Sequence, residues 1–209
     1  EQSSSGQSLV NMMDLDLLVG SGGVLSHAPR RQQSARMLID AFMPEGITQL
    51  AVDSIFMMPQ LGVLANIDKK ELKDDASQAA LEVFDNDCLI RLGTCVTPVG
   101  KVKPKSKMAQ VSMTFKDGST KDIEILEGSL EMLEVPYEEV SISIIPSRGV
   151  DVGAGKGEPL DSVIYGGVVG LIFDGRNRPI TLSTDPSQRI DSLLNWSNAV
   201  DEYPKGDLF

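Results

Sequence analysis

Leu17-Leu18-Val19-Gly20-Ser21-Gly22-Gly23-Val24-Leu25-Ser26-His27-Ala28-Pro29 is the stretch on which the reading of this chain turns. A short apolar run ends in three glycines within four residues. The chain then turns, passes a proline and takes up helical periodicity. Glycine at a strand end lets backbone approach a ligand closely, because no Cβ stands in the way. The amides that open the next helix favour anionic or polar ligand groups. Upstream, residues 14–20 read as a buried strand. Downstream, residues 30–43 read as a helix, with Ala35, Leu38 and Phe42 at helical spacing, Met37 and Ala41 flanking them, and Pro29 suited to the first turn. Pro44 and Gly46 stop that helix. Residues 47–53 read as a second strand. Strand, helix and strand in about 40 residues match a parallel βαβ unit. Its two strands point the same way, so Gly20–Gly23 and Asp53 should meet at one sheet edge, where open α/β sheets bind ligands.

Residues 55–66 are apolar and read as helical after Pro59. Residues 68–84 read as a charged amphipathic helix burying Leu72, Ala76, Ala79, Ala80, Val83 and Phe84. The hydrophobic period then changes from 3.6 to 2. Strands are expected at 88–97, 108–115, 120–126, 139–145, 163–173 and 178–183, with Lys116-Asp117-Gly118-Ser119 as a hairpin turn. Short strands at this density suggest a small sandwich or barrel. A last helix should run from about Pro186 to Val200, capped by Ser183, Thr184 or Asp185, with Ile190, Leu193, Leu194 and Trp196 on its buried side. The expected fold class is therefore mixed α+β. Its divisions are a linker (1–13), an α/β part (14–86), a β-rich part (87–184), and a C-terminal helix and tail (185–209).

Composition narrows the functions. A formal charge of −11 over 209 residues argues against general nucleic-acid binding, which needs basic patches. No apolar run is long enough for a membrane span. The first residues lack the pattern of a signal peptide and read as a linker, as in a piece of something longer. Cys88 and Cys95 have an odd spacing, which on one strand would face them to opposite sides. Two thiols without a disulfide framework suit a reducing cytoplasm.

Most chemical motifs dissolve on inspection. Gly20–Gly23 does not have the Gly-x-Gly-x-x-Gly spacing of dinucleotide folds, and a structural role and a binding role are both open to it. Asp151-Val-Gly-Ala-Gly-Lys-Gly157 resembles a phosphate loop, but Val150 and Gly157 stand where the first glycine and the Ser/Thr belong. A tight turn between strands is the better reading; contact with a partner or ligand, or small-molecule chemistry there, is the alternative. His27, the single histidine, can cap the helix start or touch a nucleotide base. Ser26 lacks a nucleophile elbow. Asp14 and Asp16 read as a solvated pair. Lys101, Lys103, Lys105 and Lys107 read as a solvated loop or a docking patch for an acidic surface. Phe173-Asp-Gly-Arg-Asn-Arg178 reads as a hairpin whose arginines face water, with carboxylate pairing of Arg176 or Arg178 as the alternative.

Several segments together carry a family resemblance: Asp16–Pro29, Met37–Gly46, Leu50–Gly62, Cys88–Cys95, Arg148–Gly157 and Gly166–Asp174. They resemble the glutamate mutase L family, also called MutL and unrelated to the mismatch-repair protein of that name. The resemblance implies an actin-like ATPase that assists adenosylcobalamin-dependent carbon-skeleton mutases as a chaperone or reactivating factor. The chain then looks like the C-terminal part, a partial actin-like lobe followed by a β-rich domain. Gly20, Ser21, Gly22 and Gly23 would inherit contacts to the adenosine side of ATP, with His27 and Asp53 as neighbours. No residue matches the phosphate-loop or metal-binding aspartates, so no catalytic residue is assigned and magnesium is expected only with the N-terminal half. The implied partners are mutase subunits and the N-terminal ATPase half, with no nucleic acid and no membrane, in the cytoplasm. The alternative is an interaction or scaffolding module with no nucleotide site.

Overall fold

The computed structural model describes residues 10–66 and 74–204. Met12–Asp14 form a short 3-10 turn capped by the Asn11 side chain; the earlier part of the expected linker lies outside the described residues. β1 (Leu17–Gly20) leads through a one-turn helix, α1 (Gly23–Ser26), into α2 (Arg31–Phe42) and β2 (Gly46–Asp53). β1 and β2 are parallel, with Leu17 opposite Gln49 and Gly20 opposite Val52. This is the βαβ unit expected from the spacing. α2 starts at Arg31 and not in Pro29's turn. Arg30 is its N-cap, and its N–H donates to Gln33 Oε1. The helix ends where Met43 turns left-handed and donates to Ile39 O.

Two helices follow, α3 (Met58–Ala65) and α4 (Asp74–Val83), and a π-helical turn (Phe84–Cys88) leads to the β-rich region. The start of the helix expected at 68–84, with Leu72, lies outside the described residues. Of its remaining expected core positions only Ala80 is buried; Ala79 and Val83 are exposed. The strands that follow are β3 (Leu89–Thr97), β4 (Val99–Gly100), β5 (Lys107–Thr114), β6 (Thr120–Leu126), β7 (Leu130–Leu133), β8 (Glu139–Pro146), β9 (Val150–Asp151), β10 (Leu160–Tyr165) and β11 (Gly170–Asp174). α5 (Pro186–Ala199) closes the chain, with Asp185 as N-cap accepting from Gln188 N.

The strands form three sheets. Five stand in the order β1-β2-β3-β11-β7, four antiparallel strands in the order β10-β8-β5-β6, and β4 pairs with β9. β3 runs antiparallel to β2 and parallel to β11, so the larger sheet continues without a break across residue 86. Alternation along its strands builds two cores. Val96, Leu171 and Phe173 point to the four-stranded sheet and meet Val111, Met113, Ile125, Val140 and Ile144. Leu50, Val52, Leu92, Cys95 and Ile172 point the other way, to Ala35, Leu38 and Ile39 of α2 and Trp196 and Val200 of α5. The result is three layers (helices, mixed sheet, antiparallel sheet), a mixed α+β architecture with a sandwich-like second half and a C-terminal helix.

Several expectations change. The run 163–173 is two strands in different sheets. The chain crosses between them at Gly166–Val169, where a Cβ on Gly166 would stand 2.0 Å from Pro136 O and one on Gly167 2.5 Å from Leu92 backbone. Residues 178–183 form no strand; Arg178 is held by Pro44 O and Asp174 in place of a ladder. β7 joins the large sheet without having been expected. Ile190 and Leu193 of α5 are exposed, whereas Trp196 is buried as expected, together with Ser197 and Val200. Phe42 of α2 is likewise exposed, and Ile39 takes its core position. Cys88 and Cys95 are free and buried, one ending the π turn and the other inside β3.

Arg176 and Arg178 do not face water. The Arg176 side chain is fully buried, with a two-point pair to Asp174 and a contact of 2.8 Å to Asp40 of α2. Asp40 also takes Arg36, and both guanidinium groups lie over the Trp196 ring. Burial alone would raise the Asp174 carboxyl, but Arg176 and Arg178 outweigh it and hold it below the usual carboxylate range. This cluster joins α2, β11 and α5.

Candidate functional site

The glycine loop lies between the end of β1 and the start of α1, beside the end of β2. Gly20 is buried at a close contact: a Cβ there would stand 2.7 Å from Leu25 Cδ1 and 2.9 Å from Leu38 Cδ2. Gly22 has φ +118°, a conformation that side chains rarely tolerate. Its carbonyl accepts from Leu25 N and Ser26 N, which closes the turn. A Cβ on Gly22 or Gly23 would meet nothing within 4 Å. The loop thus has a structural floor at Gly20 and an open face at Gly22–Gly23.

Asp53 is brought to the loop as the parallel register requires. Its side chain is fully buried and carries three polar contacts. Met57 N donates to Oδ1 at 3.2 Å, Met58 N donates to Oδ2 at 3.1 Å, and Ser21 Oγ donates to Oδ2 at 3.4 Å. Ser26 is buried, and its hydroxyl lies 2.9 Å from Asp53 O and 3.0 Å from Gly22 O. Arg31 Nη1 donates to Ser26 O at 2.9 Å, and Ser34 Oγ to Leu25 O at 2.8 Å. These bonds fix the loop from behind and leave its outer backbone free.

His27 is exposed on the same rim, its ring tilted at 6.5 Å from that of Phe56, which has a left-handed backbone. Sequence reasoning left Phe56 in the apolar run ahead of the helix and gave it no role. It also missed that Asp53 anchors the first amides of α3, a role signalled by an acidic residue four and five positions ahead of those amides. Asp53 is engaged on both oxygens, so it holds the loop in place and is not free to act as a base. Among the described residues no group of three or more His, Cys, Asp or Glu is placed to hold a metal ion.

The other motifs sit elsewhere. Asp151 Oδ1 accepts from Gly153 N and Gly155 N, Gly157 N donates to Val150 O, and Lys156 is exposed. This is the tight turn that the sequence favoured. A wide cavity of 930 Å³ lies between α5 and the β6–β7 connection, lined by Lys105, Glu127, Asp191 and Trp196, and the glycine loop takes no part in it.

Fold and site define a mixed α/β protein with a glycine loop at the carboxyl edge of a parallel βαβ unit. Residues 2–83 match the family model of the MutL protein. That stretch, which contains the whole βαβ unit and its loop, is similar to the MutL family. No curated protein and no solved structure matches it. No helix among the described residues is long and apolar enough to cross a membrane.

Proposed function

We propose that this chain is part of an ATP-dependent accessory protein for an adenosylcobalamin-dependent mutase such as glutamate (methylaspartate) mutase. In this reading Gly20, Ser21, Gly22 and Gly23 pack against the adenosine portion of ATP. The observation that carries it is the loop's construction: a buried floor at Gly20, an anchored Ser21, and an outer backbone at Gly22–Gly23 open to a flat ligand. The family match over residues 2–83 supports the link to glutamate mutase. His27 and Phe56 offer a ring edge on the same rim. The phosphates and their magnesium would be held by the N-terminal ATPase half, and the mutase subunits are the clients of the assembly. In this reading the chain contributes binding to the ATPase cycle.

The test uses the full-length protein, with Gly23→Asp beside wild type. Gly23→Asp places a charged side chain on the open face without the backbone strain that any side chain at Gly22 would meet. ATP affinity should fall by about tenfold or more, equal to about 1.4 kcal/mol, and recovery of inactivated mutase should fall with it. Equal affinity and equal recovery would remove the nucleotide role and leave the scaffolding reading.

A further inference from the structure

Asp53 is shared between the glycine loop and the helix pair that follows β2. Its Oδ2 accepts from Ser21 Oγ at 3.4 Å and from Met58 N at 3.1 Å, while Oδ1 accepts from Met57 N at 3.2 Å. The loop and the first turn of α3 therefore meet on one buried carboxylate. Neighbouring groups repeat the link. Asp53 O accepts from Ser26 Oγ behind the loop. Ser54 N and Ser54 Oγ both donate to Cys88 O, at 2.9 and 2.8 Å, which ties the end of β2 to the end of the π turn. Phe56 turns left-handed between Asp53 and α3, with its ring beside His27 on the loop's rim.

Two properties let this junction respond to a ligand. The helix pair has an apolar cluster of its own. Leu61, Ala80 and Cys88, with Met57 and Phe84 against them, belong to neither of the two cores. A unit with a separate core can shift or open without breaking the sheet. The three contacts to the Asp53 carboxylate are also long. Hydrogen bonds to a carboxylate close to about 2.7–2.9 Å, and slack bonds in a free site tighten when its ligand arrives.

We propose, on the nucleotide reading of the loop, that Asp53 is a positioning residue that couples ligand occupancy at Gly22–Gly23 to the seating of α3 and α4. A ligand resting on the outer backbone holds Ser21 against Oδ2. The carboxylate, fixed on that side, holds the amides of Met57 and Met58, the positive end of α3. α3 then carries α4 with it through their shared cluster. Asp53 lies behind the loop and acts through Ser21. The coupling is reciprocal: loosening the helix pair lowers ligand affinity by the factor with which the ligand steadies the pair.

The test is a double-mutant cycle in the full-length protein, read as ATP affinity by calorimetry, with Asp53→Asn, Leu61→Ala and both together. Leu61 belongs to the helix pair's cluster and not to the loop. Each single variant should weaken ATP binding by about fivefold or more, and the double variant should be no weaker than Asp53→Asn alone. Val63→Ser, at an exposed position of α3, should stay within about twofold of wild type. Ser21 is exposed, so Ser21→Ala removes the loop's side of the junction and leaves the α3 amides bonded. It replaces Asp53→Asn in the cycle if that variant fails to fold. Hydrogen exchange should show ATP protecting residues 58–65 in wild type and not in Ser21→Ala. Losses that multiply in the double variant, unchanged ATP affinity in Leu61→Ala, or full protection of 58–65 in Ser21→Ala would overturn the coupling. Gly23→Asp separates the two readings. If it weakens ATP binding and Leu61→Ala does not, the coupling fails and the nucleotide site stands. If Gly23→Asp leaves ATP affinity unchanged, the nucleotide site fails and the coupling with it.

Discussion

Arg176 and Asp174 form a two-point pair in which neither side chain reaches water: Nε donates to Oδ1 at 2.9 Å and Nη2 to Oδ2 at 2.8 Å. Removing one partner of such a pair strands a buried charge. Asp174→Asn should therefore lower unfolding stability in urea by about 3–5 kcal/mol. The pH dependence has a definite sign. The folded carboxyl titrates below its ordinary value, so its contribution is complete above the unfolded pKa of about 3.9. That contribution is lost as pH falls through the folded value. Wild type should lose stability steeply in acid, and Asp174→Asn should lose less over the same range.

The glycines of the loop should separate by mutation. Gly20→Val drives a side chain into Leu25 and the fully buried Leu38, and should cost about 1–3 kcal/mol. Gly23→Ala meets open space and should change stability by no more than about 0.5 kcal/mol. Thermal melts of the two variants check this. A Gly23 substitution thus probes ligand contact without disturbing the fold, and a Gly20 substitution does not.

The two thiols should also behave differently. Burial pushes Cys95 up to about 12, with Asp174 adding to the shift. Its stabilising contribution is complete below the unfolded thiol pKa of about 8.5 and fades as pH rises toward the folded value. Burial, Asp53 and Asp87 raise Cys88 too, but it belongs to the small cluster beneath α3 and α4. A thiol reagent at mildly alkaline pH should leave Cys95 untouched until global unfolding and reach Cys88 earlier, through local opening of the helix pair. Mass spectrometry of partly labelled protein reads the order directly, and simultaneous labelling would contradict it.

What the sequence made legible was mostly local. Leu17–Asp53 declared itself because a parallel unit has a characteristic length, and that length put Asp53 beside Ser21. The hairpin at Lys116–Ser119 was visible for the same reason, its turn closed by Phe115 N to Ser119 O. What stayed hidden depended on distant partners. Arg176 looked solvated because Asp40, which helps to bury it, lies far away in α2 and shares no local pattern with it. β7 is short and partly charged, and only its pairing with β11 makes it a strand. The run 163–173 is apolar throughout, so its period could not show that the chain changes sheets at Gly166–Val169. In the site, Gly20 and Gly22 read alike in sequence and differ in structure, one constrained by Leu38 and the other by its φ.

The strand order β2-β3-β11 sets a timetable for biosynthesis. At about 5–20 residues per second, the roughly seventy residues between Thr97 and Gly170 take about 4–15 s to emerge. Through that interval β3, whose last six residues are buried in the finished fold, waits on the ribosome with its second edge unpaired. A nascent chain is therefore most open to misassociation just before β11 arrives. Synonymous changes that slow translation between these strands should lower soluble yield without altering a single residue of the finished protein.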